Sequence, residues 1–258
     1  MILEYAENGS LRNYLDTNYT NELSWKDKLY YLLDIVRGLQ YIHNNELIHR
    51  DLHIGNILHN GVIYVTDMGL CKPADYIASE NTEKQIYGVL PYIAPEILRG
   101  QNYTKAADIY SFGIIMYEVI SGLPPYHDIG HNINLAIKIC QGLRPRFSIK
   151  VPQLIVHLIK RCLDANQLNR PTAKEIKIII EKWQFEPTEE LQILQRQIKE
   201  VEETNNNLPT SSIPLASLSY KTHSGAIYTS RLLNFNNLPE PKNPDNYYDE
   251  QNSLEAYR

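Results

Sequence analysis

His49-Arg50-Asp51-Leu52-His53-Ile54-Gly55-Asn56 sets an acid among basic residues and closes with an amide five positions after that acid. A second acid follows in Asp67-Met68-Gly69. Between them run Ile57-Leu58, the pair Asn60-Gly61, and Val62-Ile63-Tyr64-Val65. Apolar, β-branched runs on either side of Asn-Gly predict two short strands joined by a tight hairpin. Such a hairpin holds Asp51 and Asn56 at one end of the strand pair and returns Asp67 beside them. Three oxygen-bearing side chains then converge on one small space, a donor set that suits a hard cation such as Mg²⁺.

The same stretch resembles the catalytic loop of the protein kinases, H-R-D-L-x-x-x-N, and Asp67-Met68-Gly69 resembles their D-F-G. Ala94-Pro95-Glu96 matches the A-P-E that closes the kinase activation segment. Any one of these motifs is weak alone; three in order, with suitable spacing, make a specific signal. The branch resembled is the tyrosine-kinase-like Ser/Thr or dual-specificity one.

Bulk properties agree with an ordinary domain. The chain has 258 residues and 43% hydrophobic residues, enough for one large core or two small ones. A net charge of −5 leaves no basic footprint for nucleic acid. Cys71, Cys140 and Cys162 are scattered, odd in number and without metal spacing, which points to a reducing compartment. The opening Met1-Ile2-Leu3-Glu4-Tyr5 has no basic region ahead of its apolar run, so it does not read as a signal peptide. The longest apolar stretch, near Ile109 to Ile120, contains Glu118 and is too short to cross a bilayer. A soluble, cytoplasmic protein without nucleic-acid or membrane partners is the expectation.

Outward from the motifs, Met1 to Tyr5 reads as a strand end, and Ser10 as a possible N-cap for a helix over Leu11 to Leu15. The resemblance makes this stretch the hinge between lobes, with Leu3 at the gatekeeper position and Glu4 and Ala6 offering backbone groups to adenine; a plain buried strand end is the bland alternative. After Ser24-Trp25-Lys26-Asp27, residues Leu29, Leu32, Leu33, Val36, Leu39, Tyr41 and Ile42 recur at three- and four-residue steps, which predicts a core helix. Its place is to carry the catalytic loop on a rigid element. Asp67 to Glu96 is polar, long and aperiodic, as functional or disordered loops are. Ser79, Thr82 and Tyr87 in it are candidate phosphorylation sites, or plain solvent-facing residues.

Thr104 to Ser121 predicts a helix apolar on nearly every side and therefore buried, stopped by Gly122-Leu123-Pro124-Pro125. Asp108 near its start needs a partner, because a buried carboxylate is costly alone. Asp108-Ile109-Tyr110-Ser111-Phe112-Gly113 resembles the kinase D-x-Y/W-S-F-G, whose acid anchors the catalytic loop; an N-cap role is compatible with that. Further helices are predicted near Asn132–Gln141, Pro152–Leu163 and Thr172–Trp183. Asn169-Arg170-Pro171-Thr172 resembles the kinase R-P-T/S, which implies an ion pair between Arg170 and Glu96.

The kinase-like region thus covers residues 1–183 and is mainly α with a few short strands, an α+β C-terminal lobe. Residues 184–204 read as an exposed helix, with Leu191, Leu194, Ile198 and Val201 at helical spacing, that packs on the domain or pairs with another chain; residues 188–204 or the tail are the candidates for binding a protein partner. From 205 to 258 Asn, Ser, Pro and Tyr dominate without periodicity, which reads as a disordered tail.

The resemblance implies ATP and Mg²⁺ as cofactors and a protein substrate. Asp51 would take the proton of the acceptor hydroxyl; Asn56 and Asp67 would hold Mg²⁺; Leu58 would form the floor under adenine. Arg50 would meet a phosphorylated residue of the activation segment, and His49 and Met68 would stack in an apolar column ending on Asp108. Three residues depart from the pattern. His53 stands where Ser/Thr kinases have a phosphate-contacting Lys, and neutral imidazole brings less positive charge. Val89 stands where those kinases have the Thr that bridges this Lys to the Asp. Met68 replaces Phe, a mild change because Met fills apolar gaps readily.

The family's glycine-rich loop, its V-A-I-K lysine and the glutamate of its third helix all precede the hinge at which this sequence opens, and no G-x-G-x-x-G follows. These residues alone are therefore expected to turn over little. Transfer to a protein Ser or Thr, ahead of Tyr, is the leading reading. A non-catalytic kinase-fold scaffold is the alternative. A small-molecule phosphotransferase fits less well, because Arg50, A-P-E and the Asp108 helix belong to the protein-substrate branch.

Overall fold

The computed structural model describes residues 9–18, 23–76, 86–206 and 221–244. Leu3, Glu4, Ala6, Ser79 and Thr82 lie outside the described residues. Helix α1 (Leu11–Asn18) begins at Ser10, whose hydroxyl accepts from Asn13 N–H at 3.3 Å. Helix α2 (Trp25–Asn44) begins at Ser24, whose hydroxyl accepts from Asp27 N–H at 3.2 Å, so one orphan donor of the first turn is satisfied at each start. Along α2 the predicted stripe is buried from Leu29 to Ile42, with one exception. Tyr41 is 74% exposed, because it falls on the face shared with Arg37 rather than with Leu39 and Ile42. Ile35 is buried in its stead.

Strands β1 (Leu47–Ile48) and β2 (Ile57–His59) flank the stretch His49–Asn56, and β3 (Ile63–Val65) and β4 (Lys72–Pro73) follow. β2 and β3 pair antiparallel, Ile57 opposite Val65 and His59 opposite Ile63. The connection is one residue longer than a two-residue Asn-Gly turn: Asn60, Gly61 and Val62 form it, with Gly61 at φ 73°. β1 pairs with β4, which ties the segment after Asp67 to the strand before His49.

Strand β5 (Ile86–Gly88) leads to the short helix α3 (Pro95–Leu98), which contains Pro95 and Glu96 of A-P-E. Helix α4 (Lys105–Ser121) is buried from Ala107 to Ser121 and ends on Gly122 at φ 70°. Helices α5 (Ile133–Cys140), α6 (Gln153–Cys162) and α7 (Ala173–Phe185) follow. Thr172 caps α7 in a reciprocal box with Glu175. The core forms where α2 packs on α7 and α4 on α6. Among the described residues no helix is long and apolar enough to cross a membrane.

Helix α8 (Glu189–Asn206) lies on α7 and buries Leu194. Of the tail read as disordered, residues 207–220 and 245–258 lie outside the described residues; residues 221–244 run extended over the lobe, bury Leu233 and Leu238, and supply strand β6 (Arg231–Leu233). β6 pairs antiparallel with β5, Ile86 opposite Leu233 and Gly88 opposite Arg231. The segment has no apolar periodicity of its own because the lobe provides the partner for its backbone.

Candidate active site

The catalytic loop is held from below by α4. Asp108 is 1% exposed; its Oδ2 accepts from His49 N–H at 2.8 Å and its Oδ1 from Arg50 N–H at 3.0 Å. His43, on the last turn of α2, brings Nε2 to the same Oδ2 at 2.9 Å. The buried carboxylate thus has three partners, as its desolvation demands. These bonds hold Arg50 at φ 71°, a left-handed conformation that a residue with a Cβ adopts only under such constraint.

His49 is fully buried, with Nε2 2.9 Å from Thr66 O. A carbonyl only accepts, so the ring proton sits on Nε2, and Nδ1 accepts from Asp51 N–H at 3.3 Å. Asn56 Nδ2 donates to Asp51 O at 2.9 Å. Asn56 O in turn receives both Thr66 N–H and Thr66 Oγ1–H at 2.9 Å, which binds the residue before Asp67 to the residue that closes the loop. Asp67 sits at φ 59° and accepts from Gly69 N–H through one carboxylate oxygen, 3.3 Å away. Met68 follows on a single 3-10 turn and is 41% exposed, outside the buried column expected for it, because that turn carries its side chain toward solvent.

His53 lies almost buried beside Asp51, with Nε2 3.8 Å from Asp51 Oδ1. Burial lowers its pKa below the usual value, although the negative charges of Asp51 and Asp67 both act to raise it. Both acids therefore act electrostatically on this one ring. Nδ1 accepts from Gly55 N–H at 3.1 Å, so the proton of the neutral ring is on Nε2. Nε2 stands 3.2 Å from Ser230 Oγ, and Ser230 Oγ–H donates to Asp51 Oδ2 at 2.6 Å. Leu58, in β2, is half-buried opposite Tyr64 and bridges to Ser10. Arg50 lays its guanidinium over the Tyr103 ring, 4.5 Å from the centroid, with Nε buried and without a hydrogen-bond partner.

Sequence reasoning missed two parts of this site. Glu118 of α4, buried, pairs with Arg12 and receives the hydroxyl of Tyr92. A lone charge inside an apolar helix was the available signal, but nothing local to it points to Arg12. Ser230 was missed because its segment carries no motif. Among the described residues no group of three His, Cys, Asp or Glu side chains is placed to hold a metal ion.

A sequence model described as protein tyrosine and serine/threonine kinase matches residues 1–180. A probable serine/threonine-protein kinase of Dictyostelium discoideum is 34% identical over 179 residues, 68% of this chain and 11% of that protein. A serine/threonine/tyrosine-protein kinase of Arabidopsis thaliana is 32% identical over 192 residues, 71% of this chain and 47% of that protein. A putative serine/threonine-protein kinase/receptor of Acanthamoeba polyphaga mimivirus is 31% identical over 188 residues, 71% of this chain and 11% of that protein. The chain therefore spans from about a tenth to about half the length of these relatives. With the matched residues running through the anchored loop, the Asp67 turn and the Ala94-Pro95-Glu96 segment, the chain belongs to the protein tyrosine and serine/threonine kinase family.

Proposed function

We propose that this chain is the acceptor-side lobe of an ATP-dependent protein kinase that phosphorylates a protein Ser or Thr in preference to Tyr. The observation that carries the reading is the fixation of Asp51: its loop hangs on Asp108 through His49 and Arg50, and its carbonyl is held by Asn56. A carboxylate carried on a backbone held in this way is pre-positioned to orient a hydroxyl and take its proton, which is the protein's main task when transfer depends on placement and charge.

Asn56 and Asp67 are the residues that would hold Mg²⁺, and the cation would neutralise charge on the phosphates of ATP. Leu58 would lie under the adenine, with Leu3, Glu4 and Ala6 at the hinge. His53 replaces a cation with a neutral N–H donor, so it orients the acceptor oxygen rather than neutralising phosphate charge. Arg50, with its unpartnered Nε and positive charge, suits a phosphorylated residue of the activation segment. A cytoplasmic location and a protein substrate, without nucleic acid or membrane, belong to the same reading.

The departures at His53 and Val89 blur which hydroxyl type is chosen without abolishing catalysis; the second reading is a non-catalytic scaffold. A thermal-shift titration with Mg-ATP separates the two, because a ligand that binds only the folded state must raise the transition. A rise that Asp67→Asn removes, together with radiolabelled phosphate appearing on casein, supports the transferase. A flat titration and unlabelled casein overturn it.

A further inference from the structure

We propose that residues 223–243 form a strap through the groove where an acceptor protein lies, and that Ser230 is a built-in phosphoacceptor of this lobe. The inference rests on the transferase reading of the same site and adds the identity of a substrate.

The strap is seated at both ends and in the middle. At its start, His223 N–H donates to His127 O at 2.8 Å, and His131 N–H donates to Gly225 O at 2.8 Å. Tyr228 packs edge-on against His131, lies under the Arg12 guanidinium, and donates its hydroxyl to Pro125 O at 3.0 Å. At the centre, β6 pairs with β5, so the backbone after Ser230 is in register with the activation segment. Beyond it, Leu233 and Leu238 are buried, Glu240 pairs with Arg99, and Asn243 Oδ1 accepts from Ala165 N–H at 2.8 Å.

Between Tyr228 and Arg231 the chain presents one side chain to the catalytic loop. Ser230 Oγ–H points at Asp51 Oδ2, 2.6 Å away, and His53 Nε2–H stands 3.2 Å from the same oxygen. One neighbour is ready to take the hydroxyl proton, and the other steadies the oxygen, leaving a lone pair for attack. The backbone is fixed close to Asp51 by the β5 pairing and by Arg231 Nη2, which donates to His131 O at 2.5 Å. A tyrosine at this place would need room for a whole ring between backbone and carboxylate, so the spacing selects a short hydroxyl.

In the transfer, Ser230 Oγ forms a bond to the γ-phosphorus of ATP while the bond from that phosphorus to the bridging oxygen breaks. ADP leaves with the electron pair, and the Ser230 proton passes to Asp51 Oδ2 and from there to solvent, which restores the Asp51 carboxylate. The product carries roughly two negative charges beside the Asp51 carboxylate. Like charges at this distance repel, so phosphorylation expels the strap and opens the groove to other acceptors. Until then the strap competes with them at the high effective concentration of a tethered segment.

Two measurements on the intact 258-residue chain test this. In hydrogen exchange, amides of 86–88 and 231–233 are protected in the wild type and in Ser230→Ala, and exchange about tenfold faster or more in Ser230→Glu, which places a charge where the phosphate would stand. Unprotected amides in the wild type overturn the seat. In the second measurement, the chain is held with Mg-ATP beside casein and phosphate is located by mass spectrometry; one turnover per chain suffices. Phosphate on Ser230, lost in Asp51→Asn and formed at a rate unchanged over about a hundredfold dilution, supports the acceptor role. Phosphate on casein but not on Ser230 overturns that role and leaves the transferase standing. Phosphate on neither overturns the transferase and the acceptor role with it, while exchange still decides the seat.

Discussion

Arg170 and Glu96 meet in a two-pronged buried ion pair, Nη1 on Oε1 and Nη2 on Oε2, both at 2.7 Å. Arg170 also donates from Nε to Asp164 O at 2.8 Å and from Nη1 to Ala106 O at 2.9 Å, so its charge is matched on several sides. This pair fastens the end of the activation segment to the loop before α7. Arg170→Ala or Glu96→Ala is expected to lower unfolding free energy by about 3–5 kcal/mol, because each strands a buried charge. Replacing both, as Arg170→Met with Glu96→Leu, removes the stranded charge and should cost less than the two single changes together. Urea denaturation of the four proteins measures both statements.

Asp108 supports the loop that carries Asp51, so its loss should act at a distance. Asp108→Ala leaves the His49 and Arg50 amides and His43 Nε2 without their acceptor, at roughly 1–3 kcal/mol for each buried donor left unsatisfied. The left-handed backbone of Arg50 loses its restraint as well. The expected outcome is lower stability together with faster amide exchange at 49–51, and loss of any phosphate transfer. Unchanged exchange at those amides would show that the loop is held by other means.

How much of this was legible follows from the range of each signal. The Asp108 anchor, the Arg170–Glu96 pair and the β2–β3 hairpin were each carried by residues in short, distinctive patterns. Helices α1, α2 and α4 to α8 were readable from caps and apolar spacing; the four-residue α3 was not, because its start lies in a segment read as aperiodic loop, and the outward face of Tyr41 also escaped. Glu118 with Arg12 was not readable, because an ion pair between helices far apart in the chain leaves no local trace. Neither was the strap: its hold comes from backbone pairing with β5 and from isolated anchors such as Tyr228 and Asn243, none of which makes a period. A polar, aperiodic composition excludes a core of its own; it does not exclude folding onto another surface.

Three buried histidines set a pH dependence. Burial lowers the pKa of His53, His59 and His131 below 6.5 in the folded chain. Below pH 6.5 the unfolded chain therefore binds more protons than the folded one, so stability is greatest above that pH and falls as pH drops from 6.5 toward the folded values. His59 isolates one contribution. Its ring stacks on Tyr14 at 3.9 Å between centroids, and its Nδ1 is buried without a hydrogen-bond partner. His59→Phe keeps the stack and removes the titrating group, so it should be neutral or stabilising at pH 5.5 and flatten the slope between pH 7 and 5.5. Urea midpoints at those two pH values check the sign; a steeper slope would contradict it.

Gly113 tests the packing that positions Asp108. It sits on α4 where α6 passes closely: a Cβ there would lie 2.8 Å from Cys162 Cβ and 2.8 Å from Leu163 Cδ2. Two effects of Gly113→Ala oppose each other. Helix propensity favours Ala by about 1 kcal/mol, whereas forcing a methyl into a filled core costs about 1–3 kcal/mol. One of the two close atoms is a Cβ fixed by its own backbone, which cannot swing aside as the end of a long side chain can. The clash should win, leaving Gly113→Ala about 1–2 kcal/mol less stable than the wild type. Adding Leu163→Ala frees one of the two contacts but not the Cys162 one, and it opens a cavity of its own. The double variant should therefore fall short of the wild type while showing positive coupling between the two positions in a double-mutant cycle. Additive losses would mean that α4 and α6 do not meet at Gly113.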